Sequence, residues 1–156
     1  MPTHGHRDSW CATQAWREHE LVGHITAALR DMVRAPRYAA GSLRRRSRVL
    51  FGLQALQRHL ERLLRMEEAG GYLHAMAADK PNLSHRIDRL QDDHQSLRRR
   101  VKELVPAVHQ LKETEPQQLD EVCSEIDSLL HDVEKHDHAE IKLLQDLMLE
   151  EEGGEG

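Results

Sequence analysis

The residues of this chain that can do chemistry are histidines and glutamates that interrupt otherwise apolar helical stripes. Histidine occurs 12 times in 156 residues, and helical periodicity separates the histidines that face a core from those that face solvent. Steps of three and four residues keep side chains on one face of a helix. Such stripes place Glu67, His94 and the pair His136 and Glu140 in the core. Imidazole nitrogens and carboxylate oxygens that meet in a core are metal ligands, so the pattern predicts metal chemistry.

Apart from these residues, the three stripes are aliphatic. One runs through Val49, Leu53, Leu56, Leu60, Leu63 and Glu67, a second through Leu83, Ile87, Leu90, His94, Leu97, Val101 and Leu104, and a third through Val122, Ile126, Leu129, Val133, His136, Glu140, Leu143 and Leu147. Ionisable residues on an aliphatic stripe are costly to bury, which indicates that they have partners inside the protein.

The N-terminal part of the chain has a weaker apolar pattern. Its stripe is read as Glu18, Leu21, Ile25, Ala28 and Met32. His19 lies about 100° from Glu18 around the helix, so either of these two residues can turn toward the core. His24 is a further candidate that lies off the stripe. The pattern leaves open which of the three faces the site.

Four helices are needed to position these residues. The first is predicted over 10–34 and the second from Ser42 to Gly71, with a possible extension of the second to residue 78. The third is predicted from Pro81 to Leu111, with Pro106 inside it, and the fourth from Pro116 to Leu149. Their short connections predict antiparallel neighbours, so the expected fold is all-α, an up-down-up-down antiparallel four-helix bundle over 9–149. Residues 1–8 are expected to form a disordered tail and 150–156 an acidic, Gly-rich tail. With alternating helix directions, the polar residues of all four helices fall at one level of the bundle.

Burial of several carboxylates and imidazoles together requires compensation. An isolated buried ion costs several kcal/mol or more, unless it pairs or binds a cation. A metal ion would neutralise the carboxylates and satisfy the imidazoles, and mixed ligands of this kind suit iron or manganese. Two alternatives remain open at this point: the residues hydrogen-bond one another, or some of them face water.

The net charge, the absence of targeting segments and the cysteines indicate which partners and which cellular compartment to expect. A net charge of −5 provides no basic footprint for nucleic acid or an anionic membrane, and two arginine triplets at 44–46 and 98–100 are expected on solvated helix faces. No signal peptide and no apolar stretch of about 18 residues is found, so a cytoplasmic protein is expected. Cys11 and Cys123 lack the spacing of a zinc site, and both are expected to be free thiols. The oligomeric state is not indicated. The remaining helical histidines are expected at the surface: His74, His85, His109, His131 and His138.

Four segments together resemble the hemerythrin-like, cation-binding HHE domain. They are EHELVGHI at 18–25, LLRMEEAGGYL at 63–73, LQDDHQSL at 90–97 and HDHAEIKLLQDL at 136–147. The second is similar to a bacterial subgroup in which an EExGGYL motif follows a second-helix histidine. In that family a first-helix histidine, a second-helix HxxxE pair, a third-helix histidine and a fourth-helix HxxxE pair hold two iron ions. The resemblance implies a non-haem iron protein that binds dioxygen, or senses oxygen or redox state.

The family ligands can be carried over to this chain by position. The third-helix ligand falls on His94, the fourth-helix pair on His136 and Glu140, the bridging second-helix carboxylate on Glu67, and the first-helix ligand on Glu18 or, with a shift of one residue, His19. The resemblance therefore implies the same residues that periodicity selects.

Leu63 stands where the family motif has its second-helix histidine, and its side chain has no donor atom. His59, one turn earlier, could bind only an ion displaced along the helix axis.

Three functions are open for this chain. The first is a non-haem metal or oxygen-binding protein, and the second is a degenerate bundle that has lost its di-iron centre and acts as a structural or partner-binding module. The third is an enzyme whose di-metal centre activates oxygen or peroxide. No general acid, nucleophile or substrate-binding motif supports the enzyme.

Overall fold

The secondary structure elements in the described part of the chain are all α-helices. The structure is a computed structural model that describes residues 4–36, 41–70, 78, 80–112 and 114–153. Its helices are α1 (His4–Arg34), α2 (Ser42–Gly70), α3 (Pro81–Gln110) and α4 (Pro116–Gly153), and no strand occurs among the described residues. None of these four helices combines the length and the apolar character that crossing a membrane would require.

The helix ends differ from the predicted ones mainly at the two ends of the chain. Helix α1 begins at His4 rather than at residue 10, so it extends into the segment for which a tail was predicted. No proline lies between His4 and Ser9 to stop the helix. Helix α4 continues past Leu149 to Gly153, because the glutamates that follow Leu149 are good helix formers. The optional continuation of α2 falls almost entirely outside the described residues.

The helices pack around a common core. Consecutive helices contact each other, and α4 also contacts α1, which closes the arrangement into a four-helix bundle. Helices α1 and α2 approach closely at Gly52, where a Cβ atom would lie 3.0 Å from Leu29 Cδ1 and 3.4 Å from Met32 Sδ. The glycine therefore sets the distance between these two helices. Pro106 lies inside α3, which continues to Gln110 as predicted.

The buried faces of α2, α3 and α4 are those that the sequence predicts. Every residue of the three predicted stripes is buried, apart from Val122, which is half-buried. The core divides into two apolar clusters. The larger contains Leu97 of α3 and Leu129 of α4, and the smaller consists of Leu83, Ile87, Leu90, Leu143 and Leu147. Along α3 and α4, the polar residues of the stripes lie between these two clusters, so aliphatic side chains flank the candidate site.

The predicted stripe of α1 is wrong by about one residue. Leu21 is 38% exposed and Ala28 is exposed, whereas Val22, Leu29 and Val33 are buried. Thr26, also buried, interrupts the true stripe with a polar residue and weakens its apolar signal. Glu18, at 9% exposed, belongs to this buried stripe, whereas the neighbouring His19 is half-buried.

The first arginine triplet is structural at two of its three positions. Arg45 is buried, and it donates hydrogen bonds from Nη1 to Asp120 at 2.6 Å and from Nη2 to the carbonyl oxygen of Val33 at 3.1 Å. Arg46 donates to the carbonyl oxygen of Leu111 at 2.6 Å. These carbonyls lie at the C-terminal ends of α1 and α3, where no intrahelical donor is present. The expectation that the triplet is solvated is therefore wrong for Arg45.

Candidate metal centre

Four of the predicted site residues are buried together in the bundle. Glu67 is 5% exposed, His94 and His136 are each 5% exposed, and Glu140 is 2% exposed. His19 of α1 is half-buried, and its ring lies next to the carboxylate of Glu67. Each helix thus contributes at least one imidazole or carboxylate to a single polar layer. The expectation that these residues face the core and meet at one level is met by α2, α3 and α4, and by His19 from α1.

One ligand group consists of Glu67, His94 and His136. The Nε2 atom of His94 lies 2.9 Å from Glu67 Oε2, and that of His136 lies 3.8 Å from the same oxygen. The two Nε2 atoms are 3.1 Å apart, and the ring centroids are 4.8 Å apart with the rings at 67°. Three donor atoms from three helices therefore point at one small volume.

A second ligand group shares Glu67 with the first. His19 Nε2 lies 3.3 Å from Glu67 Oε1 and 3.9 Å from Glu140 Oε2. In each group the ligand atoms all lie within 4.8 Å of one another. Glu67 offers a different oxygen to each group, Oε2 to His94 and His136 and Oε1 to His19. A carboxylate in this position can contact two cations at once.

The outer nitrogen of each inward histidine faces a further carboxylate. His19 Nδ1 lies 2.8 Å from Asp137 Oδ1. His94 Nδ1 lies 3.1 Å from Glu68 Oε1, and His136 Nδ1 lies 3.4 Å from Asp93 Oδ2. Metal-binding histidines commonly donate their second ring N–H to a carboxylate, which fixes the tautomer and leaves the other nitrogen free to bind the ion.

These contacts determine what the inner nitrogens need. A neutral imidazole whose Nδ1–H is donated to a carboxylate has only a lone pair at Nε2. Two such lone pairs, on His94 and His136, cannot bond to each other or to a carboxylate oxygen. In agreement, both Glu67 oxygens are buried without a hydrogen-bond partner of proper geometry. The centre therefore requires positive charge between its donors, which a proton or a metal ion can supply, and the residues fit a metal ion.

The electrostatics of the centre indicate where protons reside without a metal. Burial lowers the pKa of His19, but the carboxylates of Asp137, Glu67 and Glu140 outweigh this effect and raise its pKa to about 10. Burial likewise lowers the pKa of His136, but Glu67 and the other nearby carboxylates raise it above the ordinary value. Burial raises the pKa of Glu67, but the surrounding imidazoles outweigh burial and hold that pKa well below its usual range. A metal ion that binds here must therefore displace protons.

Glu18 does not join the ligand groups. Its Oε2 lies 3.2 Å from His59 Nδ1 and its Oε1 accepts a hydrogen bond of 3.1 Å from Arg62 Nη1. Glu18 is buried, but its carboxylate faces these two residues of α2, whereas the half-buried His19 lies against Glu67. His24 is exposed and is likewise outside both groups. Of the three first-helix candidates, His19 is the one that the structure brings to the centre.

Leu63 and the remaining histidines lie as the sequence predicts. Leu63 is 4% exposed and belongs to the larger apolar cluster, one helical turn before Glu67 and without a donor atom. The histidines expected at the surface are exposed wherever they are described, at His85, His109, His131 and His138. His74 lies outside the described residues.

The sequence reasoning missed the outer carboxylates Glu68, Asp93 and Asp137. Each is adjacent in sequence to an inward residue of its own helix but contacts the histidine of the next helix. An acidic residue directly beside a core-facing ligand was the available signal. A search for apolar stripes does not detect these residues, because the position next to a core-facing residue points away from the core-facing stripe.

No protein-family model, no curated protein and no solved structure matches the chain. What the centre does is therefore inferred from its geometry, together with the motifs that it contains.

Proposed function

We propose that this chain is a non-haem metal-binding protein of hemerythrin type, with iron as its metal. Glu67, His94, His136, Glu140 and His19 would hold the metal, and manganese is the alternative that this mixture of imidazoles and carboxylates also suits. Bound iron would supply reversible binding of dioxygen or a change of redox state. The protein groups bind and orient the metal and exclude bulk water from it.

One observation carries this proposal. Three imidazoles from three helices present Nε2 to the buried carboxylate of Glu67, and each turns its Nδ1 toward an outer carboxylate. Both Glu67 oxygens are buried without a hydrogen bond of proper geometry, which supports a cation held between the rings and this carboxylate. The orientation of all three rings is the one that metal-binding histidines adopt.

The two ligand groups support a centre for two ions. They share Glu67 but use its two different oxygens. The first group has two imidazoles and one carboxylate, and the second has one imidazole and two carboxylates. Because the first group has two imidazoles and the second only one, we expect the two ions to be held with unequal affinity, the first group binding more tightly.

We further propose that the bundle is up-down-up-down and antiparallel. Contacts between neighbouring helices pair their residues in opposite order, as they would between antiparallel helices. In the α3 and α4 pair, for example, Arg86 contacts Asp146 at 2.7 Å, whereas Arg100 contacts Asp132 farther along α3 and earlier along α4. The same opposite order between α1 and α2 brings His19 level with Glu67.

A second candidate function rests on Leu63. Its burial in the larger apolar cluster removes one imidazole from the ligand set that the family resemblance implies. A bundle that had lost its metal would keep the polar layer protonated and would act through its surface, as a structural or partner-binding module. In that case protons on His19 and His136 would supply the charge that the centre requires.

Metal content separates these two functions. The protein would be purified from iron-supplemented cells and analysed for bound metals, with a visible spectrum recorded before and after exposure to air. We expect one to two irons per chain in the wild type and in a His131→Leu control, because His131 is exposed on α4. A His94→Leu variant should lose the iron. A wild type that folds stably and carries no metal would contradict the proposal and support the degenerate bundle.

A further inference from the structure

Glu68 connects the candidate centre to the surface of the bundle. Its Oε1 lies 3.1 Å from His94 Nδ1. Arg98 of α3 donates to both oxygens of the same carboxylate, from Nη1 at 2.5 Å and from Nη2 at 3.0 Å. The His94 side chain is 6% exposed, whereas that of Glu68 is 38% exposed. A partly exposed carboxylate thus contacts a buried ring through Oε1 and an arginine through both of its oxygens.

Spacing along the helices produces this arrangement. His94 and Arg98 are one turn apart on α3, and Glu61 and Glu68 are two turns apart on the facing stripe of α2. Arg98 therefore reaches both glutamates, with its Nε donating to Glu61 at 2.8 Å. Glu61 and Glu68 share Arg98 as a partner, but of these two glutamates it is Glu68 that contacts His94.

We propose that Glu68 is a positioning residue that fixes the ring of His94 with Nε2 toward Glu67 and His136, and that Arg98 holds Glu68 in place. This inference rests on the proposed metal-binding function and adds to it a residue that contacts no ligand atom. Glu68 accepts the Nδ1–H of His94, which selects the tautomer with a lone pair at Nε2. Its negative charge also strengthens the bond that the ring can form with a metal.

Glu68 is better suited to this role than the other outer carboxylates. The Asp93 side chain is 51% exposed and lies 3.4 Å from its histidine, and the Asp137 side chain is 41% exposed. Neither has a contact with an arginine among the described residues, whereas the two-point contact with Arg98 restricts Glu68 to one orientation. An orienting group that is itself held can fix a ring more firmly than a mobile one.

Titration of the full chain with Co²⁺ tests this inference, because the visible bands of Co²⁺ change with its ligands and geometry. The variants are Glu68→Ala, Glu68→Gln and the control Glu61→Ala, which also removes a carboxylate from Arg98. We expect Glu68→Ala to weaken Co²⁺ binding by about 10- to 100-fold and to change the cobalt spectrum. Glu61→Ala should weaken binding by less than about threefold and leave the spectrum unchanged. Glu68→Gln, which keeps an acceptor for Nδ1–H but loses the charge, should fall between them.

Each alternative outcome has a definite meaning. Equal losses in Glu68→Ala and Glu61→Ala, with an unchanged spectrum, would show that Glu68 acts only through the stability of the bundle, and would overturn the inference. Wild-type affinity in Glu68→Ala would overturn it as well. A wild type that binds no Co²⁺, Fe²⁺ or Mn²⁺ would overturn the proposed function itself, and the positioning role with it.

Discussion

Replacement of His19 by glutamine should remove a pH-dependent part of the stability of the metal-free protein. The pKa of His19 rises from 6.5 to about 10 in the folded chain. A pKa that is higher in the folded state means that protonation of His19 stabilises the fold. This contribution is fully present below pH 6.5 and is lost as the pH rises through 10. Glutamine keeps the polarity of the site but has no proton to lose in this range.

The size of the effect follows from the same pKa values. Between the unfolded and folded pKa, the contribution falls by about 1.4 kcal/mol for each pH unit. From about pH 7 to about pH 9 this amounts to roughly 2.7 kcal/mol. The His19 side chain is 24% exposed, so water screens part of its interaction with Asp137 and Glu67. We therefore expect the stability difference between wild type and variant to shrink by about 1 to 3 kcal/mol over this interval.

Urea unfolding followed by far-UV circular dichroism measures this difference. Both proteins would be unfolded at several pH values between about 7 and 9 in the presence of a chelator, so that no metal contributes. The matched control is His24→Gln, because His24 lies on the same helix and is exposed. We expect the control to follow the wild type at every pH.

A stability difference between wild type and His19→Gln that stayed constant from about pH 7 to about pH 9 would refute this reasoning. It would mean that His19 is not stabilised in its protonated form by the carboxylates around it, and hence that the second ligand group is not assembled as described. A difference that grew with pH would have the wrong sign and would be equally incompatible. The same proton also predicts that metal binding strengthens as the pH rises.

Three further substitutions test other parts of the molecule. Glu67→Gln should reduce Co²⁺ affinity by at least about 100-fold in the same titration, because both ligand groups lose a charged donor. Leu63→His should raise the number of ions retained per chain, measured by elemental analysis, since it adds an imidazole one turn from Glu67. Arg45→Met should lower the free energy of unfolding by about 2 kcal/mol in urea titrations, because it breaks the partly buried contact with Asp120, whereas Arg44→Met should change it by less than about 0.5 kcal/mol. An unchanged value for Glu67→Gln, Leu63→His or Arg45→Met would contradict the corresponding assignment.

The sequence predicted the fold and most of the centre because three of the four helices carry strong apolar stripes. On α3 the stripe from Leu83 to Leu104 has only His94 as an ionisable member, and the whole stripe is buried. A helix with so many leucines, isoleucines and valines on one face can bury only that face. The burial of Glu67, His136 and Glu140 was predictable for the same reason.

Helix α1 could not be assigned with the same method because two stripes compete in its sequence. The stripe with Leu21 has apolar residues at the correct steps, as does the one with Val22 and Leu29. The contacts of α1 with α2 and α4 decide between them, through the close approach at Gly52 and the ion pair of His19 with Asp137. These contacts depend on two other helices, so the pattern of α1 alone does not contain the answer.

The outer carboxylates, together with Glu18, follow a rule that connects their positions in the sequence with the direction of the helices. On each helix, an acidic residue next to the inward residue contacts a histidine of the next helix, with α1 following α4. On α1 and α3 the acidic residue comes before the inward one, as Glu18 before His19 and Asp93 before His94. On α2 and α4 it comes after, as Glu68 after Glu67 and Asp137 after His136. One residue turns a helix by about 100°, and reversing the direction of the helix reverses the sense of that turn as seen from one end of the bundle. If the helices alternate in direction, an alternation of before and after places every carboxylate on the same rotational side of its ligand. The order of these four pairs is thus the one that the proposed antiparallel arrangement predicts, and this arrangement would explain why each carboxylate reaches a histidine of the neighbouring helix rather than of its own.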